Sequence, residues 1–269
     1  MESSSEPNSS SFIPMSTAFN PTTELIKQAE KTARAGDLTH LAELLSCGGS
    51  IVESSVERAI TEGSYDLLEL YLSFGFDPNA ATVFGTMLCN AAWAKKPKLI
   101  TLLLDYGADP NAPVRAYDAL ATAAMRGNVE IAKRLVERGA KVKGNGVLVA
   151  AAENHQVEMV RYLLSVGADV EELGMYCENL RLDEDMCTPL HKAVQEHQVA
   201  IMEILLDAGA NCEALDAKNR SCIQVAEEEG TEEIVRILMA ARETNRNHDA
   251  EAPLSYSNII FDYIRRIPN

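Results

Sequence analysis

The residue with the greatest potential for chemistry is His191, in the stretch TPLHKAV at 188–194. A histidine can act as a general base or bind a metal ion near neutral pH. Thr188 and Pro189 favour a different role, because threonine is a common N-cap and proline suits the first position of a helix. The stretch therefore predicts a helix that begins after Thr188, with His191 in its first turn.

The other reactive side chains form no recognised catalytic or metal-binding pattern. No two of the six cysteines have C-x-x-C spacing, which argues against a zinc module or a redox site. The sequence contains no phosphate-binding glycine loop, no G-x-S-x-G elbow and no H-E-x-x-H pair. We therefore expect no catalytic residue, no bound metal and no cofactor. A regulatory disulfide between Cys177 and Cys187 stays open as a hypothesis.

The charge of the chain limits its partners. There are 24 Lys and Arg against 40 Asp and Glu, which gives a net charge of −16. This charge opposes binding to nucleic-acid phosphates or to anionic lipid, and it favours a partner with a basic segment. No apolar window is long enough to span a membrane, and MESSSEPNSSSF does not resemble a secretory signal. We expect a cytoplasmic or nuclear protein.

One pattern of 22 residues recurs seven times, and we number its copies repeats one to seven. Six of the seven copies end in glycine, which suits the left-handed residue that closes a helix. The copies begin at Lys27, Ser54, Thr86, Asp118, Gly146, Thr188 and Ser221.

Each repeat predicts two short helices. In the first helix, small residues such as Ala91–Ala92 and Ala123–Ala124 allow neighbouring helices to approach closely. In the second, apolar residues recur with helical period and form a broad stripe. His155 and His197 stand between the two helices of their repeats, so we expect them to shape a turn rather than bind a ligand. One repeat cannot bury its own stripe, so the repeats must stack.

Two stretches identify the pattern further, TPLHKAV with ILLDAGANCEA inside 188–214, and LLLDYGADPNA at 102–112. Through them the chain resembles the ankyrin repeat family over about residues 24–242. The resemblance implies an all-α solenoid of stacked helix pairs, short β-turn fingers and a concave face that binds partners. It also implies that His191 is structural and ties adjacent fingers by hydrogen bonds. Only repeat six has the full TPLH start; repeats one, two and five are placed by register.

The spacing of the repeats marks one long finger. Repeats five and six begin at 146 and 188, 42 residues apart, against about 33 in the family. The extra residues fall in an acidic stretch between these repeats, and an elongated finger is a place where a repeat protein can add specificity. The predicted acidic finger comprises Glu178, Asp183, Glu184 and Asp185.

Family geometry implies that the end of each first helix faces the groove, and these positions predict the binding site. Bases and large apolar groups occur in the earlier repeats, and carboxylates in the later ones. Trp93, the only tryptophan, has the profile of an interface anchor, with space filling as the alternative. The predicted contact residues are Arg34, Trp93, Tyr117, Met125, Arg126, Glu153, Gln195 and Glu196.

The two ends of the chain differ from the repeats. Residues 1–23 are rich in serine and predict a disordered arm, and residues 243–252 predict a linker. Residues 253–269 place apolar side chains on one helical face. This C-terminal helix either caps the last repeat or binds another protein.

The sequence favours a non-enzymatic scaffold that binds a protein partner as a monomer. An inhibitor that masks basic segments of a transcription-associated protein is a variant of this hypothesis. The alternative is a small-molecule-binding or enzymatic accessory protein of a biosynthetic pathway, with a pocket near Trp93, Tyr117, Met125 and Arg126. A deep apolar pocket with convergent titratable groups favours the enzyme, and a broad open groove favours the scaffold.

Deletion of residues 252–269 tests the capping hypothesis. If the C-terminal helix covers the last repeat, its loss exposes apolar surface and lowers the free energy of unfolding by about 2–4 kcal/mol. The measurement is chemical denaturation of the full and the shortened chain. An unchanged midpoint would assign the segment to binding in trans.

Overall fold

The computed structural model describes residues 21–82, 85–112, 117–174, 186–229 and 232–246. The chain forms two compact parts, Met1–Val52 and Glu53–Asn269. The repeat domain predicted for 24–242 includes residues of both parts, and its bounds stay a prediction.

The first part contains a helical hairpin of α1 (Pro21–Ala35) and α2 (Leu38–Ser46), which pack against each other. Helix α1 begins inside the arm predicted for 1–23, because Pro21 suits a first helical position, where its missing N–H is not needed. Gly36 turns the chain with a φ of 75°, and Asp37 caps α2 by accepting a hydrogen bond from His40 N–H.

The second part contains six helix pairs and one short hairpin in the described ranges. The hairpin joins β1 and β2 in antiparallel register, with Ala81 opposite Thr86 and Thr82 opposite Gly85. None of the helices in these ranges is long and apolar enough to cross a membrane. The elements are α3 (Glu53–Glu62), α4 (Tyr65–Ser73), β1 (Ala81–Thr82), β2 (Gly85–Thr86), α5 (Met87–Trp93), α6 (Pro97–Asp105), α7 (Ala119–Met125), α8 (Val129–Glu137), α9 (Val147–Glu153), α10 (Val157–Ser165), α11 (Pro189–Gln195), α12 (Val199–Asp207), α13 (Cys222–Glu228) and α14 (Glu232–Arg246).

The predicted start residues of repeats three to seven are the N-caps of their first helices. The side chains of Thr86, Asp118, Thr188 and Ser221 each accept a hydrogen bond from the backbone N–H three residues later. Gly146 is the exception, since it has no side chain to serve as a cap. In repeats three to seven, each repeat therefore begins at the residue where its first helix begins.

Small residues allow the first helices to stack. Helices α3, α5, α7, α9, α11 and α13 contact one another in chain order, and α4, α6, α8, α10 and α12 form a second row. The paired small residues at the interfaces of the first row are completely buried: Ala91, Ala92, Ala123, Ala124, Ala151, Ala152, Ala193 and Val194. Each helix pair thus buries its apolar stripe against its neighbours, as the sequence predicts.

Side chains in the fingers bind the backbone of the following repeat. Asn111 Oδ1 accepts a hydrogen bond from Lys141 N–H at 2.8 Å, and Asn111 Nδ2 donates to Gly139 O at 2.9 Å. Asn79 forms the same two bonds one repeat earlier, to Asp109 N–H and Gly107 O. These bonds occupy backbone groups that no helix or sheet pairs, and they hold neighbouring fingers in register.

Glu171 occupies the place of Asn111 in the long finger. Its Oε1 accepts a hydrogen bond from Asn211 N–H at 2.7 Å, across 40 residues rather than the 30 that separate Asn111 and Lys141. The same kind of hydrogen bond that joins the regular repeats therefore also joins repeats five and six, on either side of the insertion. The acidic finger predicted at Glu178, Asp183, Glu184 and Asp185 lies outside the described residues.

The next residue, Glu172, caps the start of α9 at the backbone N–H of Gly146 itself, not at the N–H three residues later that the other caps bind. Glu172 Oε1 accepts a hydrogen bond from Gly146 N–H at 3.0 Å, while Oε2 is buried with no hydrogen-bond partner among the described residues. Burial raises the pKa of the Glu172 carboxyl above its ordinary range, and hydrogen bonds from Gly146 and Gly144 oppose this shift. The first two acids of the insertion are thus structural.

Helix α14 extends beyond the predicted end of the repeats. It continues through Arg246, so residues 243–246 are helical rather than part of the linker predicted for 243–252. Arg242 stands where the other six copies have glycine, so the residue that follows the end of those helices is missing here. The C-terminal helix predicted at 253–269 lies outside the described residues.

Substitution of Asn111 by alanine tests the ties between fingers. The change removes two hydrogen bonds and leaves Lys141 N–H without its acceptor, so the free energy of unfolding should fall by about 1–2 kcal/mol. Asn154→Ala is the control, since the Asn154 amide donates within its own turn to Ala150 O. Urea denaturation of both variants provides the measurement. An equal loss in the two variants would contradict a special role for the tie.

Substitution of Glu172 by glutamine tests the buried cap. Because the pKa of Glu172 is higher in the folded than in the unfolded state, this carboxyl favours folding most below about pH 4.3, and the benefit is lost as pH rises through the raised pKa. Glutamine keeps the acceptor oxygen and has no charge. The melting temperature should therefore rise near neutral pH and change less at acid pH.

The control for this prediction is Glu130→Gln, which removes the charge of an exposed glutamate paired with Arg134 at 2.9 Å. That variant should show no gain at neutral pH. A fall in the melting temperature of Glu172→Gln at neutral pH would mean that the carboxylate charge stabilises α9 despite its burial.

Candidate partner-binding groove

Four of the predicted contact residues lie around one groove in the second part of the chain. Trp93 is the last residue of α5 and Met125 the last residue of α7, Arg126 is the C-cap of α7, and Tyr117 comes just before the N-cap of α7. These four line a groove of about 1380 Å³, together with residues of β1, β2 and the following fingers. These four residues lie close together because the first helices of adjacent repeats end at equivalent positions.

Trp93 and Arg126 form a stacked pair in this groove. The Arg126 guanidinium carbon lies 4.7 Å from the centroid of the Trp93 ring, within the range of a cation–π interaction. Trp93 is 56% exposed, more than any other large apolar side chain among the described residues. An aromatic side chain held by stacking but open to solvent on its remaining surface can be covered by a partner.

Cys89 connects the groove to the start of α7. Its thiol donates a hydrogen bond to Tyr117 O at 3.5 Å, next to the residue that begins repeat four. Burial raises the pKa of the Cys89 thiol, so the sulfur remains protonated and is a poor nucleophile. Cys89 therefore positions Tyr117 rather than performing chemistry.

The charges that line the groove contrast with the acidic chain as a whole. Among its described lining residues there are three cations, Lys95, Lys96 and Arg126, and two carboxylates, Glu57 and Asp109. The sequence prediction of the site did not include the two lysines. The register could have revealed them, since they come directly after the end of α5.

The carboxylates of the later repeats have intramolecular cations nearby. Glu153 Oε1 lies 3.5 Å from Lys192 Nζ, and Glu228 Oε2 lies 2.7 Å from Arg220 Nη1. Glu196 Oε2 lies 3.8 Å from Nε2 of His155. This contact is an ion pair only when the imidazole is protonated. The acid-lined face is thus partly neutralised by the chain itself.

The remaining predicted contact residues lie at the helix ends where the sequence places them. Gln195 is the last residue of α11 and Glu196 its C-cap, and Glu153 is the last residue of α9. None of these three lines the groove described above. Arg34 is exposed near the end of α1, in the other part of the chain.

His191 is enclosed and doubly bonded. Its Nδ1 lies 2.9 Å from Thr188 Oγ1 and its Nε2 lies 3.0 Å from Arg220 O. A carbonyl oxygen can only accept, so Nε2 carries the proton and Nδ1 accepts from the threonine hydroxyl. Burial lowers the pKa of His191, which keeps the ring neutral. With both nitrogens engaged, His191 ties repeat six to the finger of repeat seven.

The other predicted reactive residues also have structural positions. His155 and His197 have φ values of 58° and 54° and occupy the turns between the helices of their repeats. Of the cysteines in the described ranges, Cys47 is exposed and the other four are buried. Cys177 lies outside these ranges, so its predicted disulfide with Cys187 stays a hypothesis. No group of three potential metal ligands occurs in the described part of the chain.

Comparison of the whole sequence with known families agrees with this architecture. A family described as ankyrin repeats (3 copies) matches residues 56–143, 88–173 and 172–250, which together span most of the chain. The chain belongs to the ankyrin repeat family. Ankyrin repeats are generally protein–protein interaction modules, typically without enzymatic activity. No curated protein sequence matches the chain.

Two solved structures show the same ankyrin fold. The human ASB11 ankyrin repeat domain has a TM-score of 0.64 at 22% identity, and the match covers 84% of this chain and 99% of that domain. The ankyrin repeat domain of Bcl-3, a member of the IkappaB protein family, has a TM-score of 0.63 at 22% identity, covering 78% and 97%. At this identity the likeness concerns the fold alone.

Proposed function

We propose that this ankyrin-repeat protein is a non-enzymatic adaptor that binds a protein partner in the groove around Trp93 and Arg126. The observation that carries the proposal is the exposed tryptophan stacked on an arginine. Tryptophan and arginine are enriched among the residues that contribute most to protein–protein binding, and such residues lie near the centre of an interface. We further propose that the protein acts as a monomer in the cytoplasm or nucleus.

The shape and chemistry of the groove favour a protein segment over a small substrate. Its volume of about 1380 Å³ exceeds the usual 300–1000 Å³ of small-molecule sites. Among its described lining residues there is no histidine, and the thiol of Cys89 is buried and protonated. The described lining therefore contains no histidine–thiolate pair, which favours a binding function over the small-molecule or enzymatic alternative.

A basic partner segment is a separate part of the hypothesis, based on the net charge and on the carboxylates Glu153 and Glu196. The cations near those carboxylates, Lys192 and His155, compete with such a segment. The acidic residues at 178–185 are a further candidate contact, and they lie outside the described residues. The basic segment stays a prediction for the later repeats.

Replacement of both Trp93 and Arg126 by alanine tests the proposed groove. Because Trp93 is exposed and the stacked pair contributes about 0.5–1 kcal/mol, the free energy of unfolding should change by less than about 1 kcal/mol. Affinity purification followed by mass spectrometry should nevertheless lose the proteins that the wild type captures.

The matched control is the double variant Phe74→Ala and Arg161→Ala. It removes an aromatic side chain that is 40% exposed and an exposed arginine, neither of which lines the groove. This control should capture the same proteins as the wild type. Capture of those proteins by the Trp93 and Arg126 variant would contradict the proposal, and loss of folding in that variant would show that the pair belongs to the core.

A further inference from the structure

The partner's chemistry is indicated by Arg126, an arginine without an acidic partner in the described part of the chain. The chain has an excess of carboxylates, and other arginines use them: Arg138 lies 2.6 Å from Asp105, and Arg134 lies 2.9 Å from Glu130. Arg126 has no carboxylate within 4.0 Å and no hydrogen-bond acceptor among the described residues. Its Nε is enclosed by protein and unpaired.

The interaction with Trp93 leaves the terminal N–H groups of Arg126 available to a partner, whereas its Nε is enclosed. A cation held over the face of an indole ring uses no hydrogen-bond acceptor, so this interaction does not occupy the N–H groups of the guanidinium. Those groups fit the two oxygens of a carboxylate in a bidentate arrangement. Trp93 therefore fixes the orientation of Arg126 without consuming its capacity to bind an anion.

Neighbouring cations extend this preference along the groove. Lys96 Nζ donates a hydrogen bond to the backbone carbonyl of Glu62 at 3.4 Å. This carbonyl has no net charge, so it does not compensate the positive charge of Lys96. Lys95 is exposed in the turn after α5, with a φ of 54°. Of the two lining carboxylates, Asp109 already accepts a hydrogen bond from Asn111 N–H at 2.8 Å.

We propose that the groove recognises an acidic segment of a partner protein, with a carboxylate bound by Arg126 and an apolar side chain packed against Trp93 and Met125. This inference rests on the proposed function and specifies the partner of the same groove. The proposed partner segment is acidic, whereas the net charge of −16 suggests a basic partner. The local charges decide the preference, because solvent-exposed charges farther away than about 8–10 Å are largely screened at physiological salt.

Selection from a library of random displayed peptides against the full chain tests this inference. Enriched peptides should combine Asp or Glu with apolar residues, and their affinity should fall as salt increases. Arg126→Gln should weaken these peptides by about tenfold or more, because it removes the charge and the bidentate donors. Arg161→Gln, an exposed arginine of α10 away from the groove, should leave the affinity unchanged.

A charge exchange provides the positive arm of the experiment. Arg126→Glu should abolish binding of the acidic peptides and should bind versions in which the critical Asp or Glu is replaced by Lys. Thermal unfolding of each variant verifies that the fold is retained.

The outcomes separate this inference from the proposed function. Peptides that need Trp93 but are basic, or that are indifferent to Arg126→Gln, would overturn the acidic segment and leave the groove as a binding site. Basic peptides that weaken on Glu153→Gln or Glu196→Gln would assign recognition to the later repeats. If no enriched peptide depends on Trp93, both the groove function and the acidic segment are wrong.

Discussion

A side chain from one finger that binds the backbone of the next repeat is the interaction on which the second part of the chain depends. Asn79, Asn111 and Glu171 act at equivalent places, and His191 adds a tie from repeat six to repeat seven. The helices supply burial through small residues and apolar stripes, but burial alone does not define how far one repeat slides on another. The hydrogen bonds between fingers define that register, and the register aligns the helix ends that form the groove.

Much of this architecture could be predicted because it repeats. Helix starts such as Thr86 and Thr188 follow from capping chemistry in a fixed register, and the buried alanine pairs follow from close packing of the first helices. The adjacency of Trp93 and Arg126 also follows, since both stand at the end of a first helix in neighbouring repeats. The length of α14 could not be predicted in the same way, because an arginine at the closing position ends a helix or continues it according to the residues after it.

Other features depend on side-chain partners that composition does not reveal. Glu171 and Glu172 look like surface acids in the sequence, yet burial raises the pKa of both carboxyls and both bind backbone N–H groups. Conversely, Glu153, a carboxylate predicted to attract a basic partner, has Lys192 nearby. For the groove, the total charge of the chain is less informative than the charges that the fold leaves unpaired, because those charges are the ones that a partner meets.

Since Trp93 is the only tryptophan in the chain, its fluorescence reports on the groove alone. The most direct test is therefore a titration of the full chain with a purified partner or selected peptide, followed by the Trp93 emission maximum and its quenching by acrylamide. Binding in the groove predicts a shift of the emission to shorter wavelength and protection from the quencher, because the exposed indole becomes covered. Saturable binding that leaves both properties unchanged would show that the partner binds elsewhere on the protein.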